Sequence, residues 1–410
     1  MLELDRFRSS LASLPGAAMS SSPTASRAEH LAMAAVFFAN GAGFASWVSR
    51  IPAVRDALSL SEGQLGMALL AMGAGALVSF QLAGRGIGQL GARGLTLATG
   101  FVYCFLLPHP VLVGSLLPLA FTLFLLGAAN GAMDVAMNAL AVEVESRRGK
   151  PIMSGLHGLW SAGGLCGAAL GGTMAHHGIA PGLHIGVVAG VLALVLLVAM
   201  RWLQATPPKP AEPAPHFALP EPGMGGLGAI VFCAFLIEGG MADWSAVYVK
   251  DGLGLSAALG AFGYAAFACA MMVLRLAGDK LMAVWRAATL LRAGNAVAAL
   301  LFAAALLTQH AGLTLAAFVA VGLGVATVAP LVFGTAARRA RRGPGQGIAA
   351  MATLGYGGFL LGPPLIGWLA QLTSLRFALL VLAGLAAAIA LLAHHLDEPA
   401  PAPATNPARA

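Results

Sequence analysis

Apolar residues in this chain gather in long runs, separated by short breaks rich in charge, Gly or Pro. A membrane-spanning helix needs about 20 mostly apolar residues. Such runs recur at 31–50, 63–83, 94–108, 112–143, 152–175, 183–203, 225–249, 256–278, 288–307, 312–336, 346–370 and 375–396. The pattern predicts an all-α polytopic membrane protein with twelve transmembrane helices. The third run is cut short by Pro108 and Pro110, and the fourth is long enough to tilt or overshoot the bilayer. Alternation of period two is absent, so the runs are not the strands of a membrane barrel. Many of the 53 glycines fall inside the runs, where small residues let helix backbones approach closely.

The break after the sixth run, Ala205 to Gly223, holds Pro207, Pro208, Pro210, Pro213, Pro215, Pro220 and Pro222. It is too Pro-rich for helix and too polar for lipid, and it reads as an extended linker. The expected organisation is a cytoplasmic tail at 1–30, a six-helix half at 31–203, a linker at 204–224, a second six-helix half at 225–396 and a tail at 397–410. The first stretch carries Arg6, Arg8 and Pro15 but no apolar core, so a cleaved signal peptide is not expected, and Met19 offers an alternative start.

Composition narrows the class. Of 410 residues, 59% are apolar and 10% charged, against about 45–50% and about 25% in a soluble domain. That balance excludes a soluble enzyme, a disordered chain and a nucleic-acid binder. The net charge of +7 acts as a topology signal, because the basic residues sit in short loops. With the N-terminus inside, only Arg50, Arg55, Lys250 and Arg376 face the opposite side, and Arg275 and Arg292 lie near helix ends. Both termini and the linker are therefore expected in the cytoplasm, with the protein in a bacterial inner membrane. Cys104, Cys166, Cys233 and Cys269 lie inside apolar runs and read as packing residues.

The halves resemble each other. Asn40-Gly41 followed by Ser46-Trp47 parallels Glu238-Gly239 followed by Asp243-Trp244, and Leu60-Ser61 with Leu65-Gly66 parallels Leu255-Ser256 with Leu259-Gly260. Six-plus-six duplication about an axis along the membrane normal is a transporter plan.

From about His30 to Leu396 the chain resembles the major facilitator superfamily. The stretch Gly84-Arg85-Gly86-Ile87-Gly88-Gln89-Leu90-Gly91-Ala92-Arg93 is similar to that family's loop between the second and third spans, with Gly88 in place of the usual Asp. Its repeat, Arg275-Leu276-Ala277-Gly278-Asp279-Lys280, keeps the Asp. The resemblance implies a latch between helices that involves Arg85, Arg93, Asp279 and Lys280; solvated charges on tight turns are the plainer alternative. The fifth span carries Gly163, Gly167, Ala168, Gly171 and Gly172, similar to a glycine motif associated with exporters, though Ala168 replaces its Pro. The fourth span, Asn130 to Asn138, looks like that of the fucose-permease-like branch, where a carboxylate and a following Asn are associated with proton coupling and sugar binding. The first-span carboxylate of those porters is replaced here by Asn40.

Single polar residues inside the runs carry the chemistry. Asn130, Asp134 and Asn138 recur every four residues and so share one helix face. A carboxylate inside a span is tolerated when it is wetted, paired or neutral. With no Lys or Arg expected at its depth, Asp134 is the candidate proton acceptor, the alternative being a structural hydrogen bond. Glu238 is either a substrate or proton site or a helix-linking group. Asp243 lies five residues on, about 140° around the helix, unless Gly239-Gly240 bends the chain. Asp243 and Arg50 are a candidate pair at an outer gate. His157 is a candidate partner for Asp134, or a histidine satisfied by backbone. Trp47, Trp160, Trp244, Tyr248, Tyr264 and Tyr356 offer faces for stacking, with Trp47 and Trp244 alternatively interfacial anchors.

The expected function is secondary active transport of a small solute by alternating access, as a proton-coupled symporter of a polar, sugar-like or metabolite substrate working through Asp134. A proton-antiport exporter is the alternative, and a transporter-like sensor or membrane-embedded enzyme are further ones. No phosphate-cradling Gly-Lys-Ser/Thr loop occurs, so ATP hydrolysis is not the drive. No cofactor or metal is expected: His176-His177 and His394-His395 lie outside the spans without carboxylates at ligand spacing. The expected partners are the bilayer, the solute and protons, with the chain acting as a monomer.

Overall fold

The computed structural model describes residues 26–205, 219–282 and 284–397. Most of the Pro-rich linker and nearly all of both tails, with Met1 and Met19, lie outside the described residues. The helices are α1 (Arg27–Val48), α2 (Ile51–Ala57), α3 (Glu62–Leu106), α4 (Leu116–Arg148), α5 (Met153–His176) and α6 (Pro181–Ala199) in the first half. The second half holds α7 (Gly225–Val247), α8 (Ala257–Met282), α9 (Ala287–Thr308), α10 (Ala311–Val325), α11 (Val328–Arg339), α12 (Pro344–Leu372) and α13 (Leu375–Leu392).

Among the described residues, ten helical stretches are long and apolar enough to cross a membrane. One of them holds two crossings. The backbone of α3 breaks at Gly91, with φ 71° and ψ 162°, a conformation that only glycine adopts without strain. Before the break α3 runs parallel to α4: a Cβ on Gly75 would stand 1.9 Å from the Phe124 carbonyl oxygen, and one on Gly131 2.6 Å from Ser79. After it the direction reverses, since Leu95 clusters with Ala136 and Gly100 lies against Met133. With α5, which runs the length of α1 beside it, the described residues make twelve crossings. The stretch expected as a loop from Gly84 to Arg93 is helical except at Gly91, because one glycine turn suffices for the reversal. The stretch from Arg275 to Lys280 is likewise inside α8, with the side chains of Asp279 and Lys280 outside the described residues.

Other boundaries follow local chemistry. Ser61 and Gln64 form a reciprocal capping box at the start of α3. Pro181 and Pro344 open α6 and α12 at the position where proline is tolerated. Left-handed Gly149 ends α4.

The halves repeat one packing scheme. α1 and α5 run parallel, so close that a Cβ on Gly163 would stand 2.2 Å from the Phe38 carbonyl oxygen; α7 and α12 repeat this with Gly358 and Phe232 at 2.3 Å. Between the halves, α3 meets α12 antiparallel, at Gly66 against Pro363 and Gly73 against Leu360. α5 meets α8 in the same way, at Gly172 against Phe262 and Gly158 against Leu276. The glycines thus set both the internal and the inter-half contacts. Cys166 departs from the packing role expected of it: it is exposed, whereas Cys104 and Cys233 are buried.

Candidate functional site

Polar side chains inside the bundle gather on α1, α4, α5, α7 and α8. Asn40 on α1 is 2% exposed. Its amide nitrogen donates to Asn130 Oδ1 at 3.0 Å, and its Oδ1 accepts from Trp160 Nε1 at 2.8 Å. Phe44 lies against the Trp160 ring, centroid to centroid 6.4 Å. By both donating and accepting, this buried amide ties α1 to α4 and to α5.

Asp134 lies one turn beyond Asn130 on α4 and is half-buried. Asn138 Nδ2 reaches back to the Asp134 carbonyl oxygen at 2.9 Å and to its Oδ1 at 3.2 Å. No ion pair engages Asp134 among the described residues. The expected pairing with His157 is not formed. His157 is exposed and stands edge-on to Phe37 at 5.4 Å, one turn before the Ser161 hydroxyl that donates to its carbonyl oxygen.

In the second half, Glu238 Oε1 accepts from Arg275 Nη2 at 3.3 Å, and Arg275 Nη1 donates to Ser161 Oγ at 3.3 Å. Arg275 therefore bridges α8 to α7 and to α5 of the other half. Arg275, expected near a helix end, lies well inside α8, which runs on to Met282, and its side chain turns to Glu238 and Ser161. Ser161 follows Trp160 directly, so α5 joins the amide cluster of the first half to the ion pair of the second. Tyr264 on α8 is buried against Phe267, ring centroids 5.9 Å apart.

The expected gate pair of Arg50 and Asp243 is also absent. Arg50, 4% exposed, donates from Nε to His184 Nδ1 at 3.0 Å and from Nη2 to the Ile179 carbonyl at 3.2 Å. These partners hold it within its own half. Asp243, 8% exposed, has no hydrogen bond or ion pair among the described residues. α7 is unbroken through Gly239 and Gly240, which instead receive Phe359 and Leu382. Trp47 and Trp244 are neither stacking faces nor anchors: both are fully buried in packing, as is Tyr248. Tyr356 packs on Phe80 at 4.4 Å, across the contact of the halves.

At the end of the bundle away from the termini, two ion pairs do join the halves. Arg55 pairs with Asp251 and, at 2.6 Å, with Glu62 of its own half. Lys250 Nζ stands 2.6 Å from Asp56 Oδ2. In the sequence Arg55 and Lys250 count only as topology signals, yet the register that aligns Leu60-Ser61 with Leu255-Ser256 also aligns Arg55-Asp56 with Lys250-Asp251. Of the residues implied as latches, Arg93 donates to the Met200 carbonyl at 2.7 Å, fastening the end of α6 within its own half, and Arg85 is exposed.

Twelve crossings in two repeated halves around a polar centre define a membrane transporter of the alternating-access type. Residues 32–359 match the Major Facilitator Superfamily, and the chain belongs to that family. It is 36% identical over 374 residues to the uncharacterized transporter y4wD of Sinorhizobium fredii, covering 89% of this chain and 97% of that protein. It is 34% identical over 342 residues to an uncharacterized MFS-type transporter of Yersinia pestis, covering 83% and 89%. Membrane protein MosC of Rhizobium meliloti is 32% identical over 354 residues, covering 85% of each. Among solved structures, the nucleoside transporter NupG superposes with a TM-score of 0.68 at 13% identity, covering 90% of this chain and 99% of the other. A bacterial homologue of the lysosomal transporter Spinster gives 0.69 at 16% identity, covering 89% and 96%. These two share the fold.

Proposed function

We propose that this transporter imports a polar, hydroxyl-bearing solute together with protons, and that Asp134 is the residue through which protons are coupled. One observation carries the reading: a half-buried carboxylate stands without a cationic partner in the middle of the bundle, beside an amide cluster that spans three helices. A charge at the centre of a membrane helix costs about 2.5–3.5 kcal/mol on insertion scales. That cost is tolerated where the group meets water or a proton in a cavity. The amides of Asn40, Asn130 and Asn138 offer donors and acceptors suited to hydroxyl groups.

In this reading the basic bias of the loops puts both termini in the cytoplasm of a bacterial inner membrane. The pairs of Arg55 with Asp251 and Lys250 with Asp56 then close the outer end, and opening it breaks both. No observation favours a separate role for the fucose-like pattern beyond this polar stripe, and export is decided by the same experiment.

The test uses the full-length protein in liposomes that enclose a pH-sensitive dye. A panel of polyols, sugars, sugar acids, amino acids and hydrophobic cations is added outside. Acidification of the lumen by one polar solute, lost in Asp134→Asn while solute exchange persists, is the expected outcome. Undiminished acidification in Asp134→Asn removes the coupling role. Alkalinisation driven by hydrophobic cations identifies an exporter instead.

A further inference from the structure

We propose that Arg275 holds a carboxylate of the transported solute, so that the substrate is a hydroxylated carboxylic acid and not a neutral sugar. The inference rests on the reading of the bundle centre as the transport site, and it narrows the substrate class there.

Arg275 is the basic residue of the polar centre, and its present engagement is loose. One nitrogen reaches Glu238 and another reaches Ser161, both at 3.3 Å, beyond the usual 2.7–3.2 Å of an N–H···O bond. Guanidinium and carboxylate pair best through two parallel short bonds, whereas Glu238 here uses one oxygen. Two shielded pairs elsewhere are shorter, Arg147 to Glu29 and Arg55 to Glu62 each at 2.6 Å, while the exposed pair of Arg286 and Asp397 is as long as this one at 3.3 Å. The side chains of Arg275 and Glu238 retain 19% and 24% exposure although both helices lie inside the bundle. A single-contact, partly wetted pair is one that a ligand carboxylate can enter, turning an imperfect contact into a forked one.

The surroundings fit an anion with hydroxyl groups. Ser161, 3% exposed, commits its proton to the His157 carbonyl oxygen at 3.1 Å and therefore only accepts from Arg275. Its chain neighbour Trp160 donates to Asn40, which in turn donates to Asn130. A solute lying along α5 thus meets a guanidinium on the side of the second half and amides on the side of the first. The guanidinium selects the carboxylate, and the amides receive the hydroxyls.

The experiment uses matched probes that differ in the acid group: D-gluconate beside sorbitol, and D-glucuronate beside D-glucose. Binding to the purified full-length protein is read by tryptophan fluorescence and by thermal stabilisation, and transport by lumen acidification in liposomes. The acid of at least one pair is expected to bind tenfold or more tightly than its neutral partner. That preference should vanish in Arg275→Gln and survive in weakened form in Arg275→Lys, which keeps the charge but not the fork. A neutral member that binds and moves protons as well as its acid overturns the inference and leaves the proton-coupled transporter standing. An acid preference unchanged in folded Arg275→Gln overturns the assignment to Arg275. Silence of the wild-type protein to every probe counts against both readings. Should Arg275→Gln fail to fold, the wild-type preference within the matched pairs decides alone.

Discussion

The two halves place the same helices around the same centre, yet they fill that centre with different chemistry. On α1 the residue is Asn40, and it sits in a neutral cluster with Asn130 and Trp160. At the corresponding place on α7 stands Glu238, tied to Arg275. Amides form bonds that can be exchanged for others at little cost, whereas a charge requires a counter-charge or water wherever it moves. Duplication supplied the scaffold twice, and divergence made one half a hydrogen-bonding surface and the other an electrostatic one. A similar contrast appears at the end carrying the termini. In the first turn of α1, Glu29 is fully buried and pairs with Arg147 at 2.6 Å, gripping the end of α4. Ahead of α7, Glu221 accepts the backbone N–H groups of Arg341 and Arg342 at 2.9 and 3.1 Å, in the loop before α12. Both clamps lie at this end of the bundle, but one is buried inside a helix turn and the other lies at the surface.

The clamps give the largest expected difference between the halves. Arg147→Ala leaves the buried Glu29 carboxylate without its cation, and breaking such a pair costs roughly 3–5 kcal/mol. Thermal unfolding in detergent should show a severe loss for this variant and a slight one for Glu221→Gln. Equal losses would mean that the clamps are equivalent despite their burial.

The reciprocal pairs at the opposite end come next. Ion pairs near a surface contribute about 0.2–1 kcal/mol each. Arg55→Ala should therefore raise, by no more than about fivefold, the rate at which an impermeant thiol reagent applied from that end labels Asn138→Cys. Arg55→Ala combined with Lys250→Ala, which removes both pairs, should raise the rate further. A double variant that labels no faster than the parent would show that these charges do not hold the halves together.

A smaller effect is expected from Asn40→Ala, which leaves the Trp160 indole and one Asn130 oxygen short of a partner. Helix-linking hydrogen bonds in membranes average about 0.6 kcal/mol, so unfolding should shift only slightly while solute affinity falls. Loss of stability as large as that of Arg147→Ala would refute the picture of an exchangeable amide cluster. The smallest effect concerns pH. The two backbone N–H groups hold the Glu221 carboxyl below the usual carboxylate range. A lowered value means that the clamp contributes fully at neutral pH and is lost only as pH falls through that depressed value. Glu221→Gln should remove this acid-side component from the pH profile of stability, and an unaltered profile would show that the clamp contributes nothing.

Much of this architecture is legible in the sequence, because apolar runs of span length and a Pro-rich break report directly on a bilayer. The stripe of Asn130, Asp134 and Asn138 is legible for the same reason, since fourfold spacing puts residues on one face of any helix. What it touches is not, because contacts between helices depend on rotation and depth that no local pattern encodes. Arg275 illustrates the loss. A loop-like motif of Gly, Asp and Lys follows it, and nothing in that stretch reveals that α8 runs on to Met282. The signal was Glu238, a mid-span acid that needed a partner. The pairs at the far end were legible in principle, because the repeat already aligned Arg55-Asp56 with Lys250-Asp251.

The aligned dyads bear on how such a molecule could be assembled. In each dyad a basic residue is followed by an acidic one, and the base of each half meets the acid of the other. A twofold contact between identical subunits demands this arrangement, in which one sequence supplies both sides of every bond. A half-length chain carrying a single dyad would already be complementary to its own copy. Fusion of two such chains preserves the contact without new chemistry, and freed from strict identity, Asn40 and Glu238 could part ways.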